Sequence, residues 1–499
     1  MINLDGILLV GAVVMIAAIV AARIGARIGL PSLLLFLGLG MALGDSGFGF
    51  AFNDADVARA LGFGALVLIL AEGGLTTRWK DIRPSVGIAG ALATVGIGIS
   101  VGLMTLFCHY VLGLDLWLSV LLGAVTSPTD AAAVFSVLRN VGLPHRVRGA
   151  LEAESGLNDA PTVLLVVLAS SAALGEPTKG GVGGLIGLIA LELTLGLLIG
   201  VALGWIGVVI LRSVALPSSG LYPLAALVWT VFSYAIAATL HTSGFAAVYV
   251  CALMLGNAQL PHRGATRSFV EGIGWIAQIG LFVMLGMLAT PDRLTWKVAL
   301  TALAAGAFLT VVARPVSVLS TASWFKVPWR HQVFLSWGGL RGAVPIVVAT
   351  IPLSVNVPGA TALFDVVLVF VIVFTVLQAP TLPLAARLLG LSKGEDTAEL
   401  DVEVAPLERI SAELLQVRVP SGSRLSGLEI GELRLPKNTL VSLIIREGNP
   451  SVPGHQDRIK AGDELLIVTP SDIRADTEDR IRALSKGGRL AKWRGQRGD

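Results

Sequence analysis

Two polar stretches inside apolar runs decide the reading of this chain: Thr126-Ser127-Pro128-Thr129-Asp130 and, beyond a short basic loop, Glu154-Ser155-Gly156-Leu157-Asn158-Asp159-Ala160-Pro161. Asp130, Glu154 and Asp159 lie where hydropathy places a bilayer. A charged side chain at the bilayer centre costs about 2.5–3.5 kcal/mol even on insertion scales, unless it is paired or faces water. A lone acid in such a run can simply pin helices together through hydrogen bonds. Three acids in two clusters, each cluster with its own helix breaker, point instead to groups that handle cations or protons.

Outward from these stretches the chain reads as membrane protein. Of 499 residues, 54% are hydrophobic and 14% charged, and mean hydropathy is +0.78; soluble domains average about 25% charged residues. Apolar segments of about twenty residues recur from Ile7 to about Leu389. Thirteen spans are predicted, near 6–22, 30–44, 60–75, 85–112, 115–138, 149–174, 182–211, 221–240, 243–258, 268–290, 298–313, 331–352 and 362–389. The first is read as a span, not a signal peptide, because it lacks a basic leading region and a second follows closely. Alternate loops, beginning with the first, hold fourteen Lys and Arg, Arg314 among them; the others hold four, Arg59, Lys179, Arg293 and Lys297. Basic loops stay cytoplasmic, so the N-terminus is expected outside and the chain after the last span inside. Cys108 and Cys251 lie in apolar spans without CxxC or metal-ligand spacing and are expected to be packing residues. The six histidines lack ligand spacing, and no nucleophile–base constellation suggests an enzyme.

Two spans are interrupted, the fifth at residues 126–130 and the twelfth by Gly338-Gly339-Leu340-Arg341-Gly342-Ala343-Val344-Pro345. That displacement fits two six-span repeats of inverted topology linked through span seven. Pro128 removes a backbone donor and the glycines relax the helix, which frees N–H and C=O groups that protein, water or ion must meet. Crossed broken helices bring positive and negative helix ends together near the midplane. Thr129 and Asp130 suit a positive end; Arg341 suits a negative end or a carboxylate. Arg341 stays charged and needs an anion, and Glu154 is its expected partner. Glu154 and Asp159 are about 140° apart around a helix, whereas Ser155, four residues before Asp159, shares its face. Ser155 and Asp159 are therefore expected to offer oxygens to one hard alkali cation. Asn158 supplies an amide where a second acid would permit a second proton. Competition of cation and proton for one carboxylate makes the exchange electroneutral; the other reading of Asn158 is a hydrogen bond to nearby backbone.

Ser127-Pro128-Thr129-Asp130, Glu154 to Asp159 and Gly339-Leu340-Arg341-Gly342 resemble the signature motifs of the monovalent cation/proton antiporters of the NhaP type, across residues 1–390. The resemblance implies an all-α polytopic domain of about thirteen helices with inverted repeats and two interrupted helices. It also implies a dimerising part, a core part and alternating access. By motif, Asp159 would be the ion-binding, proton-exchanging carboxylate, with Thr129 and Asp130 at the unwound crossing. The monovalent cation would sit at Asp159, Ser155 and Thr129. Glu154 and Arg341 would be a structural ion pair, and Asn158 the asparagine of the electroneutral branch. Glu72, after Leu68-Ile69-Leu70-Ala71, resembles an acid of the third span that assists the ion site; facing Arg78 or Lys80 at a cytoplasmic end is the alternative. Ala131 departs from the proline that many relatives carry there.

Residues 391–408 turn acidic and polar and read as a linker. Residues 409–485 read as a small α+β domain, with strand-like runs at 414–419, 440–445 and 464–468, a short helix near Ser426–Leu433 and a closing helix over Ile473–Leu484. Residues 486–499 form a basic tail that suits anionic lipid rather than nucleic acid. Gly422, Leu425-Ser426-Gly427-Leu428 and Ala461-Gly462-Asp463-Glu464-Leu465-Leu466 resemble the TrkA-C (RCK C-terminal) regulatory module. That implies a dimerising domain able to bind a small regulatory nucleotide, cyclic di-AMP being one type, and tilts the cation toward K+. The combined expectation is a homodimeric K+/H+ antiporter of a bacterial inner membrane, without cofactor. A Na+/H+ antiporter is the alternative. A gated cation channel is a third reading, against which stands the lack of a pore-loop sequence.

Overall fold

The computed structural model describes residues 4–28, 31–45, 47–50, 52, 54–130, 143–175, 181–391, 401–407, 412–470, 473–488 and 491. The chain divides into two compact units, Met1–Ser392 and Lys393–Asp499. The first is helical: α1 Leu4–Ile28, α2 Ser32–Leu43, α3 Ala55–Thr76, α4 Trp79–Tyr110, α5 Leu116–Thr126, α6 His145–Ala173, α7 Gly181–Ser213, α8 Leu221–Thr239, α9 Gly244–Asn257, α10 Arg263–Leu288, α11 Trp296–Phe325, α12 Trp329–Trp337, α13 Ala343–Ser354 and α14 Ala360–Leu388. Among the described residues nine of these are long and apolar enough to cross a membrane, and α2, α5, α9 and α13 are shorter apolar helices. The predicted spans fall on these elements, the twelfth divided between α12 and α13. The part of span five beyond Asp130 lies outside the described residues.

Local chemistry explains the breaks that matter. Asp115 starts α5 by accepting a 2.9 Å hydrogen bond from the Trp117 amide. The helix stops at Thr126, just ahead of Pro128. Gly338 to Gly342 separate α12 from α13. α4 and α11 each contain a π turn, Leu92–Gly96 and Leu309–Ala313, and the first packs against α11. There Ser317 Oγ donates to the Gly96 carbonyl at 2.8 Å, satisfying a group that the widened turn exposes. α11 thus continues through Arg314 to Phe325. Arg314, counted in sequence as a loop charge, is 3% exposed inside the helix bundle. Helix α6 packs against α4, α5 and α13, while α9 packs chiefly against α3, α7 and α8 and also touches α6.

The second unit carries a five-stranded antiparallel sheet, β1 Asp401–Leu407, β2 Ala412–Arg418, β3 Leu440–Arg446, β4 Asn449–Ser451 and β5 Glu464–Pro470, in the order β1-β2-β5-β3-β4. In register Leu415 opposes Ile467 and Val417 opposes Leu465. These four bury alternate positions under Ile481 and Leu484 of the closing helix α15 Arg474–Gly487. The stretch read as linker therefore contains an edge strand: Asp401–Leu407 pairs along β2. Its acidic composition hid it, but charged residues are usual on edge strands. The predicted helix near Ser426–Leu433 is only one 3-10 turn, Ile430–Leu433, with a capping box from Glu429 and Glu432.

Candidate ion site

The site forms where the two interrupted stretches meet α6. The Asp130 amide donates to the Leu340 carbonyl at 2.8 Å. Asp130 Oδ2 in turn accepts from the Ala343 amide, at 3.3 Å, at the first residue of α13, so an anion lies at a positive helix end. Gly342 makes that approach possible, since a side-chain carbon there would overlap the Asp130 carboxylate. Arg341 occupies the opposite pole. Its Nε donates to the Thr126 carbonyl that ends α5, at 3.4 Å, and its Nη1 to the Gly339 carbonyl just beyond α12. Thr375 Oγ1 of α14 donates to the Arg341 carbonyl at 2.8 Å and anchors the stretch.

Helix α6 fastens onto the first broken stretch through Thr129. Ser155 Oγ donates to the Thr129 carbonyl at 2.7 Å; the Asn158 amide nitrogen donates to Thr129 Oγ1 at 2.9 Å and to its carbonyl at 3.3 Å. Thr129, Ser155, Asn158 and Asp159 are all buried. Among the described residues Asp159 Oδ1 and Asn158 Oδ1 have no hydrogen-bond partner. Asn158 therefore braces Thr129 with its nitrogen, while its oxygen stays without a partner among the described residues. Asp130 is the other carboxylate whose charge bears on Asp159.

The expected Glu154–Arg341 pair is not formed. Glu154 is held by Arg314, with Nη1–Oε1 at 2.5 Å and Nη2–Oε2 at 2.9 Å, a two-pronged pair with both side chains buried. Arg314 Nη2 also donates to the Leu335 carbonyl at 3.3 Å. Arg314 is thus the residue that sequence reasoning missed. The available signal was the apolar run Val316, Val318 and Leu319 continuing past the supposed loop. Arg341 is freed to cap helix ends, the other role its sequence position allowed. Glu72 is half-buried on α3, where it packs over Gly274 of α10, and Glu271 and Arg267 are the charges acting on it. Neither Arg78 nor Lys80 pairs with it among the described residues.

Known proteins similar to this chain agree on its class. The family model for the sodium/hydrogen exchanger transmembrane region matches residues 13–387, and that for the TrkA-C domain matches residues 414–482. The K(+)/H(+) antiporter NhaP of Alkalimonas amylolytica is 34% identical over 469 residues, covering 93% of this chain and 80% of that protein. The K(+)/H(+) antiporter NhaP2 of Shewanella oneidensis is 32% identical over 473 residues, covering 93% and 81%. The structure of the sodium proton antiporter MjNhaP1 from Methanocaldococcus jannaschii superposes with a TM-score of 0.62 at 19% identity, over 75% of this chain and 99% of that one. The chain belongs to the sodium/hydrogen exchanger family. It is a polytopic membrane transporter with a C-terminal TrkA-C domain, and not an enzyme.

Proposed function

We propose that this protein exchanges K+ for H+ electroneutrally by alternating access, with Asp159 as the carboxylate that cation and proton occupy in turn. The observation that carries this reading is the buried Asp159 oxygen without a partner among the described residues, beside the Thr129–Ser155–Asn158 knot. Ser155 and Thr129 offer hydroxyl oxygens to the same cation, and Glu72 assists from α3. Charge supports the stoichiometry. Around the crossing lie two guanidiniums, Arg314 on Glu154 and Arg341 on the Thr126 and Gly339 carbonyls, and three carboxylates, Glu154, Asp130 and Asp159, an excess of one negative charge with Glu72 on α3 left aside. One monovalent cation or one proton neutralises that excess, and a buried site tolerates neither an empty charge nor a second cation cheaply. The names of the most similar relatives favour K+ over Na+. The protein acts as a homodimer in a bacterial inner membrane, N-terminus outside, and its TrkA-C domain gates transport from the cytoplasm in response to a small nucleotide.

The test is proton flux in proteoliposomes loaded with a pH dye. Adding K+ outside is expected to make the lumen alkaline at a rate unchanged when valinomycin clamps the voltage. A response to Na+ alone would assign the sodium exchange instead. Voltage-sensitive flux would remove the one-for-one stoichiometry, and K+ entry without proton movement would indicate a channel.

A further inference from the structure

Asp159 Oδ1 is not the only stranded polar atom in its surroundings. Among the described residues Thr162 Oγ1, one turn further along α6, and the Tyr249 hydroxyl of α9 are also buried without partners. Tyr249 reaches α6 at Gly156: a side-chain carbon on that glycine would fall inside the phenol ring and against its hydroxyl. Gly156 thus forms a notch that admits the tyrosine tip to the helix between Ser155 and Asp159. Glu152 and Asp159 are the titratable groups acting on that hydroxyl. A phenol is both a donor and an acceptor and stays protonated at neutral pH, so it suits a carboxylate that alternates between charged and neutral forms. Tyr249 also belongs to a helix packed chiefly on α3, α7 and α8, whereas the other Asp159 neighbours ride on α6 and the broken stretches.

Resting on the reading of Asp159 as the exchanging carboxylate, we propose that Tyr249 is a positioning residue for exchange. Its hydroxyl, without a partner among the described residues and admitted through the Gly156 notch, turns onto Asp159 when that carboxylate is ionised and cation-free, donates a hydrogen bond to it, and yields the oxygen to the arriving cation. A donor to the charged form favours ionisation. Without it, protons compete better with the cation.

The test is Tyr249→Phe, which keeps the ring and removes only the hydroxyl, assayed as K+-driven proton flux in proteoliposomes. The expected result is a several-fold higher KM for the cation near the acid limb. That limb should move toward alkaline pH by about half a unit or more, while the maximal rate at saturating cation and alkaline pH stays within about twofold. Gly156→Ala, which closes the notch, should change KM and the acid limb in the same direction; Tm in detergent shows whether it folds. An unchanged KM and pH profile in Tyr249→Phe overturns the proposal. So does a lower maximal rate at every pH with KM unchanged, which is a packing effect. If Asp159→Asn abolishes exchange while Tyr249→Phe leaves KM and the profile intact, only the tyrosine proposal fails; if Asp159→Asn still exchanges, the underlying reading fails first.

Discussion

Glu154 and Asp159 sit five residues apart on one helix and are buried alike, yet their surroundings differ completely. Glu154 meets both prongs of Arg314; Asp159 has an oxygen that meets nothing among the described residues. A buried carboxylate with its charge and lone pairs satisfied belongs to the framework, because exchanging its partner would cost several kcal/mol. One left unsatisfied stores that cost until an ion or proton arrives. Their separation around the helix is what sends the two acids to different neighbours: Glu154 toward α11, Asp159 toward the region between the broken stretch and α9.

The comparison breaks most visibly at Arg314. Arg314→Ala leaves Glu154 charged and alone at about 1% exposure, and is expected to lower stability by about 3–5 kcal/mol. Thermal unfolding and yield in detergent measure this, and the double change Arg314→Leu with Glu154→Leu should recover much of the loss. A wild-type Tm in the single variant would mean that Glu154 finds its charge balance elsewhere, with Arg341 the first suspect.

A gentler contrast sets that pair against one of similar geometry in the TrkA-C domain. Arg446 donates from Nε to Asp463 Oδ1 and from Nη2 to Oδ2, both at 2.8 Å, but the Arg446 side chain is 41% exposed. Water screens it, so Arg446→Ala is expected to cost only about 1 kcal/mol. Burial alone would raise the Asp463 carboxyl; hydrogen bonds from Arg446 and from the Lys460 amide outweigh it and hold it below the usual Asp value of 3.8. A depressed folded-state value gives stability that is present above the unfolded value and lost as pH falls through the folded one. Amide exchange of β3 and β5 in the full-length protein should therefore quicken as pH falls below about 4, after correction for intrinsic rates. Arg446→Ala should flatten that dependence, and an unaltered pH profile would remove Asp463 as its source.

How much of this was legible depended on whether a local signal existed. Apolar runs mark the nine long helices and the shorter α2, α5, α9 and α13, because a membrane span must satisfy its own backbone and so needs length and hydrophobicity. The breaks at Pro128 and at Gly338 to Gly342 were visible for the same reason, as were Asp130, Asp159 and their small polar neighbours. Pairing was not legible. Arg314 looks like a loop charge until the π turn at Leu309–Ala313 carries α11 past it, and the choice between Arg314 and Arg341 as the Glu154 partner is made by tertiary packing. Tyr249 carries no local mark, since its approach depends on a glycine ninety-three residues earlier in the chain. In the C-terminal unit the alternation of β2, β3 and β5 was readable, whereas β1 was hidden by an acidic composition that reads as linker.

The central claim is that one carboxylate, Asp159, carries both substrates. Its most direct test is K+-driven proton flux by Asp159→Asn in proteoliposomes, with Tm recorded on the same preparation. The asparagine keeps the shape but neither binds a proton nor bears a charge. The account predicts no exchange at any pH, with a Tm no lower than wild type because a buried unpaired carboxylate has been removed. Exchange that persists in a folded Asp159→Asn protein would contradict it.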